Sequence, residues 1–261
     1  MKTFDCFMFF DELMLLEIRL KELDPVVDKF VLVEATHTHS GKPKRLYYDE
    51  VKDNEIFAPF KDKIVHVIYN QQADPAKYPT ERDRRFANDR EQRNQILSGL
   101  VDAKPDDLII VTDLDEIVNR KTVELLKQYP EPGRLVMKLF YYSFNCRANQ
   151  EWGYPASCRF KDFPGADKLR LEGVETFTRV YVNAGWHFSY LFPVNEIPKK
   201  LEAFAHAEFD TDYHKDMDRL KKCVEGNGDI FERPGMKFRI EPLDAPQCVM
   251  NDREKYRAFI K

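Results

Sequence analysis

The sequence predicts an α/β domain with a mixed, mostly parallel central sheet flanked by helices. Three observations carry this. Short, unbroken apolar runs rich in β-branched residues, KFVLVE (29–34) and DLIIV (107–111), read as strands buried on both faces, and KIVHVIY (63–69) reads as a further strand. Helical stripes alternate with them, giving a strand–helix–strand start that suits parallel pairing. The run Leu108 to Val111 then leads directly into Asp113, Asp115 and Glu116. Open α/β sheets bind ligands outside the carboxyl ends of their strands. Two hard oxygen donors one residue apart repel each other unless a divalent cation, which also takes phosphate oxygens, lies between them. An isolated D-x-D is more often a solvated turn and helix N-cap; the buried strand directly before it reverses that reading here.

Bulk properties exclude several classes. The 261 residues suffice for one large α/β domain with its own core. Charged residues make up 33% and apolar residues 43%, as in a globular protein in water. A net charge of -4 and a pI of 5.9 give no nucleic-acid footprint. No apolar run reaches the roughly 18 residues of a membrane span, and the acidic residues Asp5, Asp11 and Glu12 argue against a signal peptide. The cysteines Cys6, Cys146, Cys158, Cys223 and Cys248 are odd in number and scattered, which suits buried or idle thiols in a reducing compartment.

Along the chain, TFDCFMFF (3–10) is the first strand. Asp11 is the expected N-cap of a helix with Leu13, Leu16, Leu20 and Leu23 on one face, supported by a Glu17–Lys21 pair and ended by Asp24-Pro25. After the second strand, ATHTHSGKPKRLYY is polar and lies where a nucleotide would bind. Glu34 at the strand end could accept bonds from a ribose or base, with Thr36 beside it, whereas His37 and His39 read as surface residues. A helix is expected from Arg84 to Val101, with Ile96, Leu97, Leu100 and Val101 on its buried face. Projected backwards, that face carries Arg90 and Arg93, with Asn94 adjacent. An arginine there either needs an anion, a carboxylate such as Glu34 or a diphosphate, or snorkels to water at the helix start, and the residues alone favour neither.

Beyond the D-x-D, a helix from Lys121 to Gln128 and one long strand, Gly133 to Phe144, are expected. Asn145, Arg147, Asn149, Trp152 and Tyr154 would suit a sugar, although ordinary aromatic packing under a loop is the better reading of them taken alone. VYVNAGWHFSYLF (180–192) reads as two short strands around an Asn-Ala-Gly turn, with Trp186 and Phe188 on one face and His187 and Ser189 on the other. Helices from Pro198 to Glu208 and from Thr211 to Val224 follow, the latter stopped by Gly226.

The segments FDELMLLEIRLKEL, VVDKFVLVEATHTHSGKPKRLYY, REQRNQI, VTDLDEI, AGWHFSYL and KKLEAFAHAEFD together resemble glycosyltransferase family 17, the β-1,4-mannosyl-glycoprotein 4-β-N-acetylglucosaminyltransferases. The resemblance covers nearly the whole chain. It implies a GT-A type fold with a nucleotide-sugar-binding half (1–118), an acceptor-side half (119–236) and a packed tail (237–261). It implies UDP-GlcNAc as donor and a glycan as acceptor. It further implies manganese, or magnesium, on Asp113 and Asp115, and transfer with inversion. His187 is expected as the third metal ligand, and Arg90 or Arg93 near the diphosphate. Inversion needs a base for the acceptor hydroxyl; Glu208, Glu175 and Asp210 are the expected carboxylates, Glu208 foremost. Because family members in animals carry an anchor that this sequence does not show, a microbial or viral cytoplasmic enzyme is expected. A metal-dependent phosphohydrolase and a non-catalytic sugar-binding domain of the same fold are the competing readings.

Overall fold

The computed structural model describes residues 1–171, 177 and 179–261. The chain opens with β1 (Thr3–Phe9), α1 (Leu13–Leu23), β2 (Lys29–Ala35), α2 (Tyr47–Val51), β3 (Ile64–Tyr69), α3 (Glu81–Asn94) and β4 (Leu108–Val111). β3, β2, β1 and β4 lie side by side and parallel. Strand alternation sends Phe7, Phe9, Leu32 and Ile110 to one face of this sheet and Cys6, Val31, Val33 and Ile109 to the other. Leu16, Leu20 and Leu23 of α1 cover the first face, and Ile96 and Leu100 cover the second. Over β2, β1 and β4 both faces are apolar because both are covered, as the continuous hydrophobic runs predict, whereas β3 is the partly exposed edge.

The later elements are β5 (Glu116–Val118), α4 (Arg120–Gln128), β6 (Gly133–Leu135), β7 (Met137–Tyr141), β8 (Cys146–Trp152), β9 (Ala156–Arg159), α5 (Ala166–Leu171), β10 (Arg179–Tyr181) and β11 (Gly185–Ser189). β9 runs antiparallel between β4 and β6, and β10 pairs in parallel with β6, so the seven-stranded sheet is mixed and mostly parallel, as expected. The chain closes with α6 (Ile197–Ala203), α7 (Asp212–Lys215), α8 (Met217–Glu225), β12 (Phe238–Ile240) and α9 (Gln247–Asn251). A second sheet has the order β12-β8-β7-β11-β5.

Several expectations are corrected. The strand from Gly133 to Phe144 is two strands, because the chain passes from one sheet to the other at Val136, whose N–H and carbonyl bond Tyr181 and Ala184. The expected hairpin at 180–192 is likewise divided between the sheets. Gly185 permits this: a Cβ there would stand 2.0 Å from the Ile117 carbonyl oxygen, so β11 approaches β5 as only glycine allows. The helix expected to reach Val101 ends at Asn94 and tightens into a 3-10 turn over Gln95–Gly99, leaving Leu97 and Val101 exposed. Helix 198–208 stops at Ala203, and helix 211–224 breaks at Asp216, whose side chain caps α8. Asp11 does not cap α1; Glu12 holds that position without a side-chain cap bond.

Candidate active site

The D-x-D loop is held from beneath by a fully buried arginine. Arg19 of α1 binds the equally buried Asp5 of β1 through Nε and Nη2, at 2.7 and 2.6 Å. Its Nη1 donates to the carbonyls of Asp113, Leu114 and Glu116, at 2.8, 3.2 and 2.9 Å, and Nη2 also donates to the Thr112 hydroxyl. One side chain thus serves three loop carbonyls, of which that of Asp113 also accepts from the Glu116 N–H at 3.1 Å, the pairing that buried backbone requires.

Above the loop, charges alternate. Glu116 is fully buried and accepts from Arg170 of α5 (2.5 and 2.9 Å) and from the Trp152 indole N–H (2.5 Å). The Asp113 N–H donates to the same carboxylate at 2.5 Å. Asp113 Oδ2 takes the second Arg170 nitrogen at 2.9 Å, while Oδ1 is buried without a hydrogen-bond partner, 3.5 Å from Arg93 Nη2. Arg93 also binds Asp89 and Asp167, at 2.8 and 2.9 Å. Burial raises the Asp113 pKa in spite of Arg170, whereas Arg170 overcomes burial at Glu116 and holds that carboxyl low.

Asp115 faces a different set. Its Oδ2 lies 3.5 Å from His187 Nε2 and 3.6 Å from Lys200 Nζ. Burial opposes its charge, but His187 and Lys200 prevail and hold its pKa well below the usual carboxylate range. His187 reaches it because Trp186 and Phe188 anchor β11 in the core and alternation turns the histidine the other way. The imidazole packs against the Trp152 ring, 4.6 Å between centroids, and its Nδ1 is buried without a partner. Lys200 of α6 binds Glu12 at 3.0 Å.

These groups line a cavity of about 320 Å³ together with His37, His39, Gln92 and the rings of Phe86, Phe204 and His206. The site therefore gathers Arg93, Asp113, Asp115 and His187 from the expected residues, and the two loop histidines read as surface residues belong to it. Others are placed elsewhere. Glu34 is fully buried behind the cavity, accepting from Lys44, His66 and the N–H groups of Tyr47 and Tyr48. Thr36 bonds His37, and Asn94 accepts from the Asp167 N–H at the start of α5. Arg90 turns away to the Tyr78 hydroxyl. Asp210 is tied to Arg85 and Lys215. Glu208 is 42% exposed and bonds His206 rather than lining the cavity. Glu175 lies outside the described residues. Of the expected sugar-binding residues only Trp152 lines the cavity; Arg147 is spent on backbone carbonyls and Asn145 on the tail.

The expected metal trio is not assembled. Among the described residues no group of three His, Cys, Asp or Glu side chains could hold an ion. Asp113 is drawn to the two arginines, and the pair that remains is Asp115 with His187. That pair offers a divalent cation two donors, an anionic oxygen and an imidazole nitrogen 3.5 Å apart facing a cavity; Lys200, 3.6 Å from the same oxygen, sets its own positive charge against the ion and would have to turn to Glu12, its other partner.

A mixed α/β sheet whose parallel strands end in a charged, ligand-sized cavity places this chain among the α/β proteins that bind ligands at the carboxyl edge of the sheet. The chain belongs to glycosyltransferase family 17, whose model matches residues 1–239. The fold is the expected mixed α/β arrangement, with mixed sheets flanked by helices. The chain is 25% identical to rat β-1,4-mannosyl-glycoprotein 4-β-N-acetylglucosaminyltransferase, over 95% of this chain and 52% of the rat protein. The human protein of that name is 27% identical over 82% of this chain and 46% of its own length. The chain thus spans about half the length of the curated relatives it matches. Among solved structures, glucosyl-3-phosphoglycerate synthase from Mycobacterium tuberculosis, in complex with Mn2+, UDP and phosphoglyceric acid, superposes with a TM-score of 0.35 at 13% identity. It covers 95% of this chain and 91% of its own. The relatives are from rat, mouse and human, which overturns the expectation of a microbial or viral cytoplasmic enzyme. No described helix is long and apolar enough to cross a membrane.

Proposed function

We propose that the chain transfers a sugar, N-acetylglucosamine from UDP-GlcNAc, to a glycan acceptor with inversion at the anomeric carbon. The Asp115–His187 pair at the mouth of the D-x-D loop carries this reading. It would hold manganese or magnesium, and the bound ion would offset charge gathering on the departing diphosphate. Arg93 and Lys200 add fixed positive charge on the same cavity, where such charge needs no reorganisation during reaction. The Phe86, Phe204 and His206 rings offer flat faces to the nucleobase. In an inverting displacement the acceptor oxygen bonds to the anomeric carbon as the carbon–phosphate oxygen bond breaks, and the acceptor's proton passes to a base. Asp89, Asp113 and Asp115 are held by Arg93, Arg170 and His187. Glu12 is the remaining carboxylate on the cavity; its partner is the lysine Lys200, at 3.0 Å, and not an arginine or the proposed metal pair, and we assign the proton to it in place of Glu208.

Incubation with UDP-GlcNAc and manganese, without acceptor, is expected to release UDP slowly, with release stopped by a chelator and no cleavage of a simple phosphomonoester. Phosphomonoester cleavage would favour the phosphohydrolase reading, and donor binding without release would favour a sugar-binding domain. Arg93→Ala is expected to weaken UDP binding more than uridine binding, by about 1.5–3 kcal/mol for a contact to a charged group. Arg90→Ala should leave both unchanged in the same titration calorimetry. Equal losses of UDP and uridine affinity in Arg93→Ala would make Arg93 a purely structural partner of Asp89 and Asp167.

A further inference from the structure

Lys200 stands between a proposed metal donor and the proposed base. Its Nζ lies 3.0 Å from Glu12 Oε1 and 3.6 Å from Asp115 Oδ2. The second of these is the same oxygen that lies 3.5 Å from His187 Nε2. The carboxylate oxygen that an ion would share with the imidazole therefore already answers an ammonium. The surroundings hold the ammonium there. Its side chain is only 21% exposed, so water screens its charge little. The rings of Tyr190 and Phe192 each lie 5.4 Å from Nζ at their centroids, within the reach of a cation over a ring. Tyr190 holds φ at 55°, a left-handed conformation that a bulky residue keeps only where its neighbours impose it. Its buried ring stacks on Tyr141 at 5.8 Å while meeting Lys200. α6 does not depend on Lys200 for its place, because Lys199 binds Asp11 and both Ile197 and Leu201 are buried.

We propose that Lys200 is a built-in counter-cation that competes with the divalent ion for Asp115, and that the ion is admitted as the ammonium transfers to Glu12. The proposal rests on the reading of Asp115 and His187 as the metal's donors. A dication and an ammonium on one carboxylate oxygen repel each other, and a cavity poor in water does not relieve the repulsion. Glu12 already holds the same Nζ, and more closely, so the exchange asks for a turn of the lysine side chain and no movement of α6. In the reverse direction it keeps Asp115 from standing as a buried charge without a cation when the ion departs. The transfer comes before reaction, and afterwards the ammonium stays on the cavity beside Glu12. Lys200 and Glu12 are thus positioning residues towards the metal: Glu12 tunes metal affinity through the lysine without touching the ion.

The test titrates manganese chloride into the whole chain without nucleotide and counts the free ion by electron paramagnetic resonance. Lys200→Met keeps the stem between the two rings and removes the charge. Its manganese dissociation constant is expected to fall about tenfold or more, a gain of affinity where loss of a merely structural residue would weaken binding. Lys200→Gln, a second neutral variant, is expected to act in the same direction, whereas Lys200→Arg keeps the charge and should stay within about threefold of the unmodified chain. Glu12→Gln is expected to weaken manganese binding in the unmodified chain and to have no effect in the Lys200→Met background, the coupling that a double-mutant cycle isolates. Asp115→Ala added to Lys200→Met should abolish the gain. Neutral variants that bind manganese no more tightly than the unmodified chain, while Asp115→Ala still weakens binding, would overturn the proposal and leave the metal reading standing. An undiminished effect of Glu12→Gln in the Lys200→Met background would overturn the transfer. Manganese binding indifferent to Asp115→Ala in both backgrounds, or no binding by the unmodified chain and the neutral variants alike, would overturn the metal reading itself and the proposal with it.

Discussion

Arg19→Met is expected to destabilise the fold by about 3–5 kcal/mol, the range for removing one member of a buried ion pair. The loss has two physical sources. Asp5 would remain charged and fully buried with no cation beside it, and the carbonyls of Asp113, Leu114 and Glu116 would lose their shared donor. Urea denaturation gives the stability change directly. Adding Asp5→Leu is expected to recover part of the loss, because the stranded charge is then gone while the orphaned carbonyls remain. A single variant within 1 kcal/mol of the parent, by the same extrapolation, would mean that the loop stands without the arginine. The same substitution should also weaken donor binding, since the arginine shapes the loop that carries Asp115.

Asp115→Ala is expected to abolish manganese-dependent donor affinity and to lower UDP release on the order of 10²–10³-fold, as losing one preorganised electrostatic group does. The residue lies past the end of β4 and outside the apolar core, so cooperative unfolding should be retained. His187→Ala should lower manganese affinity by at least about tenfold, the lower bound seen even for partners that only orient a ligand. Calorimetry of UDP-GlcNAc with and without manganese checks both. If the two variants keep metal-dependent affinity, the ion is held elsewhere, with Asp113 Oδ1 the next donor to test.

The parallel strands β1, β2 and β4 were legible because strands covered on both faces are apolar almost without interruption, whereas the antiparallel β9 was read as part of an aromatic and polar stretch; the turn of His187 away from Trp186 and Phe188 followed from alternation alone. The errors have equally definite causes. Ile96 and Leu97 were used to project a face back onto Arg90 and Arg93, but the helix tightens after Asn94 from 3.6 to about 3 residues per turn, which rotates the projection. Only Arg93 then reaches the cavity. Strands that change sheet at Val136 read as one strand because nothing local marks the transfer. Arg170 meets Glu116, and Lys200 meets Asp115, only through long-range folding, and each of the two basic residues looks like an ordinary surface charge in its own segment. Arg19 did carry a signal: it stands three residues after Leu16 and four before Leu23, on the apolar stripe of α1, where an arginine must have a buried partner.

The contact between Trp152 and His187 gives the chain an optical reporter of its own site. The sequence holds two tryptophans. Trp186 lies in the core beside Phe188, whereas the Trp152 indole rests on the histidine proposed to meet the metal and donates to Glu116. Paramagnetic manganese held by that imidazole would quench the emission of Trp152 far more than that of Trp186, and magnesium would bind without this quenching. Occupancy of the site could then be followed by light alone, in the unlabelled protein, before any acceptor is known.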